Sequence, residues 1–220
     1  MITLKQAQFE AGAISTRNSK MPGSSFAISA KHCNVGSKLA KIEGSTCHKC
    51  YAIKLQNMRP SVNQGWVANL EKAQRLIESD PQRWVGFMAF QIDKASIKTG
   101  QPYHRWFDSG DLQSLAMLEA IADVCTKTPH IAHWLPTREA SLIKAFLAKH
   151  KAFPSNLVVR VSATMINDQP SRNYKNTSTV HRKGIVPVGH VCPASNQGNA
   201  CGDCRACWTH EIKNVSYPLH

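Results

Sequence analysis

Seven of the eight cysteines in this 220-residue chain fall into two clusters, and thiolates are preferred ligands of zinc and of iron–sulfur centres. The N-terminal cluster consists of Cys33, Cys47 and Cys50. The C-terminal cluster consists of Cys192, Cys201, Cys204 and Cys207. The remaining cysteine, Cys125, lies within an apolar helical pattern, so we expect it to be an inert buried thiol.

The C-terminal cluster has the pattern C-x8-C-x2-C-x2-C, which predicts a four-thiolate metal site. Two consecutive two-residue spacings turn three thiolates toward one centre, and the longer loop brings back the fourth. Four sulfur ligands suit either tetrahedral zinc or a 4Fe-4S cluster. Close C-x2-C-x2-C runs are typical of ferredoxin-type sites, whereas most zinc ribbons set their two C-x2-C pairs well apart. Metal binding is therefore predicted here, and the identity of the metal stays open.

The N-terminal cluster has three cysteines in the pattern C-x13-C-x2-C, ending in the stretch TCHKCYA. A 4Fe-4S cluster held by three thiolates keeps one iron free for a substrate or cofactor, as an open zinc site keeps one position for chemistry. The alternatives are a zinc site completed by His32 or His48, a fourth ligand from the C-terminal cluster, or a redox pair of Cys47 and Cys50. A structural disulfide is the least favoured alternative, because the sequence indicates a cytosolic protein and the cytosol keeps thiols reduced.

Strand and helix patterns alternate through the middle of the chain, which positions these clusters on an α/β fold. Strands are predicted over 103–107, 131–137, 156–164 and 184–190. Helices are predicted over 61–79, with Ser61 as N-cap, and over 81–98, 111–127 and 138–150. Such alternation favours right-handed crossovers, so we expect a partial (βα) barrel or a small parallel sheet.

One domain is expected, in three parts. They are an irregular segment with the first cysteines (1–60), the helices and βα units (61–190), and a cysteine-rich tail (191–220).

Polar residues follow the predicted strands, and parallel α/β proteins bind ligands at the C-terminal ends of their strands. We predict catalytic roles for Asp108, Asp111, Arg138 and Glu139. We predict cofactor contacts for Ser109, Gly110, Ser162 and Thr164. The alternative for the sequence FDSGD is helix capping by Ser109 or Asp111. His133 lies inside a strand, so we expect it to be buried rather than catalytic.

A formal net charge of +13 favours a polyanionic partner, and a nucleic acid or nucleotide is the usual one. The loop 171–183 interleaves basic residues with an aromatic one, which suits single-stranded nucleic acid but also an ordinary solvated loop. The predicted contacts are Arg172, Tyr174, Lys175, Arg182 and Lys183. The sequence lacks the Walker A, GxGxxG, GxSxG and HExxH motifs. It therefore does not belong to the common classes of nucleotide-binding proteins, serine hydrolases and zinc proteases that these motifs mark.

A cytoplasmic location is expected, because the sequence has neither a membrane-length apolar run nor a secretory leader. The composition gives no indication of the oligomeric state.

The chain resembles the phage gene product 88 family over about residues 33–208. The resemblance rests on the order CHKCYA, RWFDSGD, HWLPTRE, VRVSAT and CPAS…CGDCRACW, of which the last, with its tryptophan, is the most specific. It implies expression in a phage-infected or prophage-carrying bacterial cell.

More loosely, the layout is similar to that of radical S-adenosylmethionine enzymes, whose spacing is C-x3-C-x2-C where this chain has C-x13-C-x2-C. The resemblance implies that the N-terminal cluster holds a 4Fe-4S cluster at the mouth of a partial barrel. It also implies that Asp108 and Asp111 lie near a bound S-adenosylmethionine and that Tyr51 belongs to the same site. The C-terminal cysteines resemble the auxiliary-cluster tails of some of those enzymes.

Three hypotheses follow from these features. The first is an iron–sulfur enzyme with one or two clusters that acts on nucleic acid or a nucleotide. The second is a non-catalytic zinc or iron–sulfur protein that binds nucleic acid. The third is a metal-dependent nuclease or hydrolase that uses the acids at the strand ends.

Overall fold

The structure is a computed structural model that describes residues 2–16 and 18–219. In these ranges the strands are β1 (Ser24–Phe26), β2 (Tyr103–Trp106), β3 (Ala132–Thr137), β4 (Leu157–Ser162), β5 (Thr177–His181), β6 (His190–Val191) and β7 (Asn214–Pro218). The α-helices are α1 (Leu4–Ala11), α2 (Asn34–Leu39), α3 (Tyr51–Met58), α4 (Pro60–Ser79), α5 (Pro81–Thr99), α6 (Leu115–Lys127) and α7 (Ala140–His150).

The seven strands form one sheet in the spatial order β1-β2-β3-β4-β5-β7-β6, and every pair of neighbours is parallel. The predicted α/β class with a parallel sheet is therefore confirmed, and the architecture is consistent with a partial barrel. Over the two described ranges, we find no helix that is both long and apolar enough to cross a membrane.

Five helices, α1, α4, α5, α6 and α7, pack on one face of the sheet and form the main apolar core there. Alternate side chains of the central strands point into it, including Trp106 of β2, Leu135 of β3 and Val159 of β4. Trp84 of α5 packs against Trp106 with the two rings tilted and their centroids 6.1 Å apart. Cys125 of α6 is fully buried in the same core, as predicted.

The opposite face of the sheet is covered by residues 192–213, which we call the C-terminal segment. Trp134 of β3 and Val215 of β7 pack there against Trp208, whose ring centroid lies 5.2 Å from that of Trp134. The Trp208 indole also donates a hydrogen bond to the His104 carbonyl of β2 at 3.0 Å. Both faces of the parallel sheet are thus covered, as such sheets require.

The predicted helix boundaries agree with the structure for α5 but not for the starts of α4 and α6. Asp80 caps α5 by accepting from the Arg83 amide at 3.0 Å, and Gly100 ends that helix in the left-handed conformation. The start of α6 is four residues later than predicted, because Ser114 rather than a residue of FDSGD caps it. The start of α4 is Pro60, so Ser61 is inside the helix and the predicted N-cap was wrong.

The N-terminal part was wrongly predicted to be irregular, because α1, β1, α2 and α3 lie within it. The predicted strand 184–190 was also wrong: only its last residue enters β6, while β5 lies in the stretch predicted as a polar loop. The reason is chemical, since β5 and β7 are joined by polar side chains that leave no apolar pattern. Thr177 donates to the Asn214 side-chain oxygen at 2.9 Å, and Thr179 donates to the Ser216 hydroxyl at 3.1 Å.

Two buried histidines lie on the helix face of the sheet, which confirms the interpretation of His133. Its Nε2 lies 2.9 Å from the Thr128 hydroxyl, and His104 Nδ1 lies 2.8 Å from the Ser24 hydroxyl. Burial lowers the pKa of His133 to about 3, so this imidazole is neutral and structural.

Candidate metal centres and strand-end site

The N-terminal cysteines lie at the C-terminal edge of the sheet, which we call the rim. Cys33 follows β1 after a single 3-10 turn, Ala30–His32. The loop from residue 33 to 50, called the cysteine loop, is fastened to the end of β4. The Thr46 amide donates to the Thr164 carbonyl at 2.8 Å, and the Ile166 amide donates to the Gly44 carbonyl at 2.9 Å. This loop therefore lies where parallel α/β proteins bind ligands.

The thiols of the cysteine loop are close neighbours. A Cβ atom added at Gly36 would lie 3.6 Å from the Cys47 sulfur and 3.7 Å from the Cys33 sulfur, so both sulfurs border the same space. The Cys50 amide donates to the Cys47 carbonyl at 3.1 Å, which closes the turn between them. Burial, followed by the nearby charges of Asp111, Cys47 and Cys50, raises the pKa of Cys33 to about 12. The Cys33 thiol is therefore protonated, and a metal would have to displace its proton.

Two of the predicted catalytic acids hold backbone amides. The Glu139 carboxylate accepts from the amide of Val35, two residues after Cys33, at 2.8 Å. Asp111 accepts from the Leu112 amide, the Thr137 hydroxyl and the Arg138 amide at 2.8, 2.6 and 2.8 Å. Burial raises the pKa of Asp111 to about 6, although these hydrogen bonds oppose the rise. Both acids thus position the rim, and their catalytic roles stay predictions.

Arg138, Ser162, Thr164 and Gly110 were also predicted from the strand ends. Arg138 donates from Nε to the Thr46 hydroxyl at 3.0 Å, which brings it to the cysteine loop. Ser162 accepts from a serine of β5 at 2.9 Å, and Thr164 contributes its carbonyl to the loop. A side chain at Gly110, which has a φ of 83°, would lie 2.8 Å from the Ile28 carbonyl oxygen. Close backbone packing therefore accounts for this glycine.

Several buried polar atoms near the rim have no hydrogen-bond partner within the described residues. They are His48 Nδ1, Arg105 Nε, Asp108 Oδ1 and Ser109 Oγ. The other carboxylate oxygen of Asp108, Oδ2, accepts from the Ser25 hydroxyl at 2.8 Å. The main-chain carbonyl of Asp108 accepts from the Tyr51 hydroxyl at 2.7 Å. Because buried polar groups are nearly always paired, these open atoms mark hydrogen-bonding capacity for a ligand.

Arg105 is a residue that the sequence reasoning missed, and it lies between the two cysteine clusters. Its guanidinium carbon is 4.5 Å from the centroid of the Trp134 ring. Burial raises the pKa values of Tyr51 and Cys201, and the charge of Arg105 lowers both. The positive charge of Arg105 therefore favours the ionised forms of Tyr51, which follows the N-terminal cluster, and of Cys201, which belongs to the C-terminal cluster.

The C-terminal cysteines come together against the sheet face opposite the helices. Cys192, Cys201, Cys204 and Cys207 all pack in the cluster that contains Trp134 and Trp208. The Cys204 amide donates to the Cys201 carbonyl at 3.0 Å, and the Cys204 sulfur lies 3.4 Å from His190 Nε2. The Cys207 sulfur lies 3.2 Å from the Tyr217 hydroxyl.

Arg160 anchors this segment, and its role was not foreseen. It is fully buried in β4, and its guanidinium donates to five main-chain carbonyls. The acceptors are Ala206 at 2.7 Å, Ile212 at 2.9 Å, Thr209 at 2.9 Å, Cys207 at 3.1 Å and Thr177 at 3.3 Å. These five bonds use all five N–H groups of the side chain. The available sequence signal was an arginine inside the apolar run LVVRV.

The donor types fit thiolate-bound metals, but the side chains are not closed around one ion. No group of three or more His, Cys, Asp or Glu side chains is arranged to hold a metal ion anywhere in residues 2–16 and 18–219. A tetrahedral zinc ion, with bonds of about 2.3 Å, needs its sulfurs about 3.8 Å apart. A 4Fe-4S cluster binds its thiolates on separate irons and so holds them farther apart.

The residues predicted to contact nucleic acid are only partly arranged for it. Tyr174 packs against the helix-side core and donates to the Ala140 carbonyl at 3.4 Å, so its ring is not a free stacking surface. Arg172, Lys175, Arg182 and Lys183 are exposed.

A family model described as gene product 88 matches residues 3–210. The matched range contains the rim and all seven clustered cysteines. No curated protein and no solved structure matches the chain significantly.

Proposed function

This chain belongs to the gene product 88 family of phage proteins, and we propose that it is an iron–sulfur enzyme whose cysteine loop holds an open 4Fe-4S cluster. The observation that supports the proposal is the grouping of Cys33, Cys47 and Cys50 at the rim of an all-parallel sheet. Three thiolates leave one iron of such a cluster without a protein ligand, and that iron supplies a coordination position for a substrate or cofactor.

The rim residues supply the rest of the proposed site. Glu139 and Asp111 hold the amides that fix the cysteine loop and the β3 end. Asp108, Ser109 and Arg105 offer the unpaired atoms that would bind polar groups of a ligand. In the proposed site, two acids therefore hold the cysteine loop in place, and the other polar groups hydrogen-bond the ligand.

Charge around the cysteine loop favours a polyanionic substrate. Residues 31–59 present six exposed cations, against a single acid, Glu43. The cations are Lys31, Lys38, Lys41, Lys49, Lys54 and Arg59. A surface of one sign around a reactive centre raises the local concentration of oppositely charged substrates. Nucleic acid or a nucleotide is the proposed substrate class.

Metal and sulfide analysis of anaerobically purified protein tests this proposal. We expect brown protein with about four irons and about four sulfides for an occupied N-terminal site. Colourless protein that contains zinc and no sulfide would refute the iron–sulfur enzyme. It would leave the second candidate, a zinc protein that binds nucleic acid without catalysis, which the same exposed cations favour.

S-adenosylmethionine is the cofactor proposed for the open iron. The reduced protein, supplied with S-adenosylmethionine and a nucleic-acid or nucleotide substrate, should release 5′-deoxyadenosine. Absence of this product from iron-loaded protein would count against the cofactor and would leave the iron–sulfur site itself untouched.

Gly36→Ala is expected to lower iron binding by more than half without unfolding the protein. The added methyl would lie 3.0 Å from the Cys33 Cβ and would enter the space that both sulfurs border. Iron per chain after anaerobic reconstitution is the measurement, together with the thermal midpoint of the metal-free protein.

Gly65→Ala is the matched control, because it is also a helical glycine but has no atom within 4 Å of the added carbon. It should keep full iron binding and gain about 1 kcal/mol from its higher helix propensity. Equal iron content in the two variants would mean that the space beside Gly36 is not used by a metal.

A further inference from the structure

A groove of about 390 Å³ lies at the N-terminal edge of the sheet, which is the edge opposite the rim. One wall is the stretch that leads into β1, with Lys20 and Gly23, together with Gln101, which lies two residues before β2. The other wall is a loop of the C-terminal segment that carries Cys201 and Arg205. Because all the strands are parallel and end at the rim, this groove is separate from the strand-end site.

The two walls of the groove are fixed by contacts within the protein. The Cys201 amide donates to the Lys20 carbonyl at 2.8 Å, which joins one wall to the other. The side-chain amide of Gln197 donates to the carbonyls of Ala200 and Cys201, both at 3.2 Å, and so holds the loop. Met21 is buried in the apolar cluster under the C-terminal segment. The shape of the groove is therefore set by the fold.

Arg205 is held in position by the protein while part of its guanidinium stays free. Nη1 donates to the Gly202 carbonyl at 2.6 Å and to the Cys204 carbonyl at 3.0 Å. The guanidinium carbon lies 5.0 Å from the centroid of the Tyr103 ring. Nε and Nη2 have no hydrogen-bond partner within residues 2–16 and 18–219. Two such neighbouring N–H groups form the fork that binds a carboxylate or a phosphate through two parallel hydrogen bonds.

The groove carries positive charge and uncharged polar groups. Lys20 is exposed and forms no ion pair with any described residue. The described residues that line the groove include no Asp or Glu, and Asp203, which follows Gly202, is exposed outside it. The uncharged polar residues of the lining are Thr16, Asn18, Ser19, Thr99 and Gln101. Two cations without an acid favour an anion, and the uncharged groups suit hydroxyls.

We propose that this groove binds a small phosphate ester or carboxylate that also carries hydroxyl groups, with its oxyanion between Arg205 and Lys20. The volume of about 390 Å³ lies within the range of about 300–1,000 Å³ that is usual for small-molecule sites, and a lone phosphate ion would not fill it. The uncharged polar residues of the lining hydrogen-bond the hydroxyl groups. This site does not rest on the proposed function, because it shares no residue with the rim.

Isothermal titration calorimetry of the full chain with ribose 5-phosphate and with gluconate tests the site. We expect a Kd of about 1 mM or tighter for at least one of them, and no binding of uncharged ribose. Binding of only one anion would identify the ligand as a phosphate ester or as a carboxylate. No detectable binding of either anion would overturn the proposal. Inorganic phosphate that binds as tightly as the ester would overturn the role of the hydroxyl groups.

Two substitutions test the placement of the oxyanion. Arg205→Lys keeps the charge but loses the fork, and it should weaken binding by about tenfold. Lys20→Gln leaves the hydrogen-bonded wall intact and should weaken binding by about threefold. Lys144→Gln, at an exposed position of α7, removes the same charge elsewhere and should leave the affinity unchanged. Equal weakening in the two lysine variants would mean that net charge alone attracts the anion, and it would overturn the site.

Thermal midpoints of the variants separate loss of the ligand from loss of the fold. If Arg205→Lys lowers the midpoint, the comparison of the two lysine variants still decides the question. Cys50→Ser should bind the anion as tightly as the unmodified chain, because Cys50 lies at the rim. Failure of the iron–sulfur proposal would therefore leave this groove unaffected, and Lys20→Gln should likewise leave the iron content unchanged.

Discussion

Replacing Cys50 with serine is expected to remove iron from the cysteine loop while the C-terminal centre keeps its metal. The loop offers only three thiols, so the substitution leaves two ligands for a cluster of about four irons. Iron and sulfide should fall from about four each per chain to background, and any turnover should be lost. Anaerobic metal and sulfide analysis, with visible absorbance, measures the change.

Cys125→Ala is the matched control for the loss of a thiol. Cys125 is fully buried in the helix-side core and belongs to neither cysteine cluster, so its replacement should leave the iron content unchanged. Unchanged iron in Cys50→Ser would show that the cluster is bound elsewhere and would refute the assignment to the cysteine loop. Equal iron loss in both variants would indicate a general folding defect.

Arg160→Met is expected to lower the free energy of unfolding by about 3–5 kcal/mol, the largest stability effect that we predict. The substitution keeps much of the side-chain volume but removes the donors to five main-chain carbonyls of β5 and the C-terminal segment, three of them in buried hydrogen bonds. Each buried acceptor left unpaired costs about 1–3 kcal/mol, reduced where relaxation admits water. Urea denaturation of metal-free protein is the measurement, since bound metal would add its own stabilisation.

Arg75→Met is the control, because Arg75 is exposed on α4 and its loss should change stability by less than about 0.5 kcal/mol. In Arg160→Met, limited proteolysis should also cut the C-terminal segment first, as the five bonds hold that segment to the sheet. Similar urea midpoints for the two variants would mean that the C-terminal segment is held by its apolar contacts alone.

Strands β2, β3 and β4 were predictable because apolar side chains mark them. Their buried faces carry large residues such as Trp106 and Leu135, and hydrophobic patterning records that burial directly. The β5 and β7 strands were not predictable in this way. Their buried residues are mostly Ser, Thr and Asn, whose hydrogen bonds depend on the partner strand and not on the local sequence.

The candidate site was predictable in its location but less so in its roles. Cysteine spacing and strand order indicated the rim, and the structure brings the cysteine loop there. Whether a carboxylate faces a ligand or a backbone amide depends on contacts distant in sequence. Glu139 bonds to Val35, 104 residues away, and no local pattern reveals that. The approach of His190 to Cys204 likewise depends on the pairing of β6 with β7.

The position of β7 has a consequence for how the protein is made. It is the last strand in the chain, yet it lies between β5 and β6 in the sheet. A nascent chain that has left the ribosome only as far as β6 has no partner on which to dock that strand. The C-terminal centre can therefore assemble only after translation has passed β7, and a stalled or cleaved polypeptide would expose unpaired thiols to oxidants. A metal bound by these cysteines, as the sequence predicts, would have to be delivered after β7 has been synthesised.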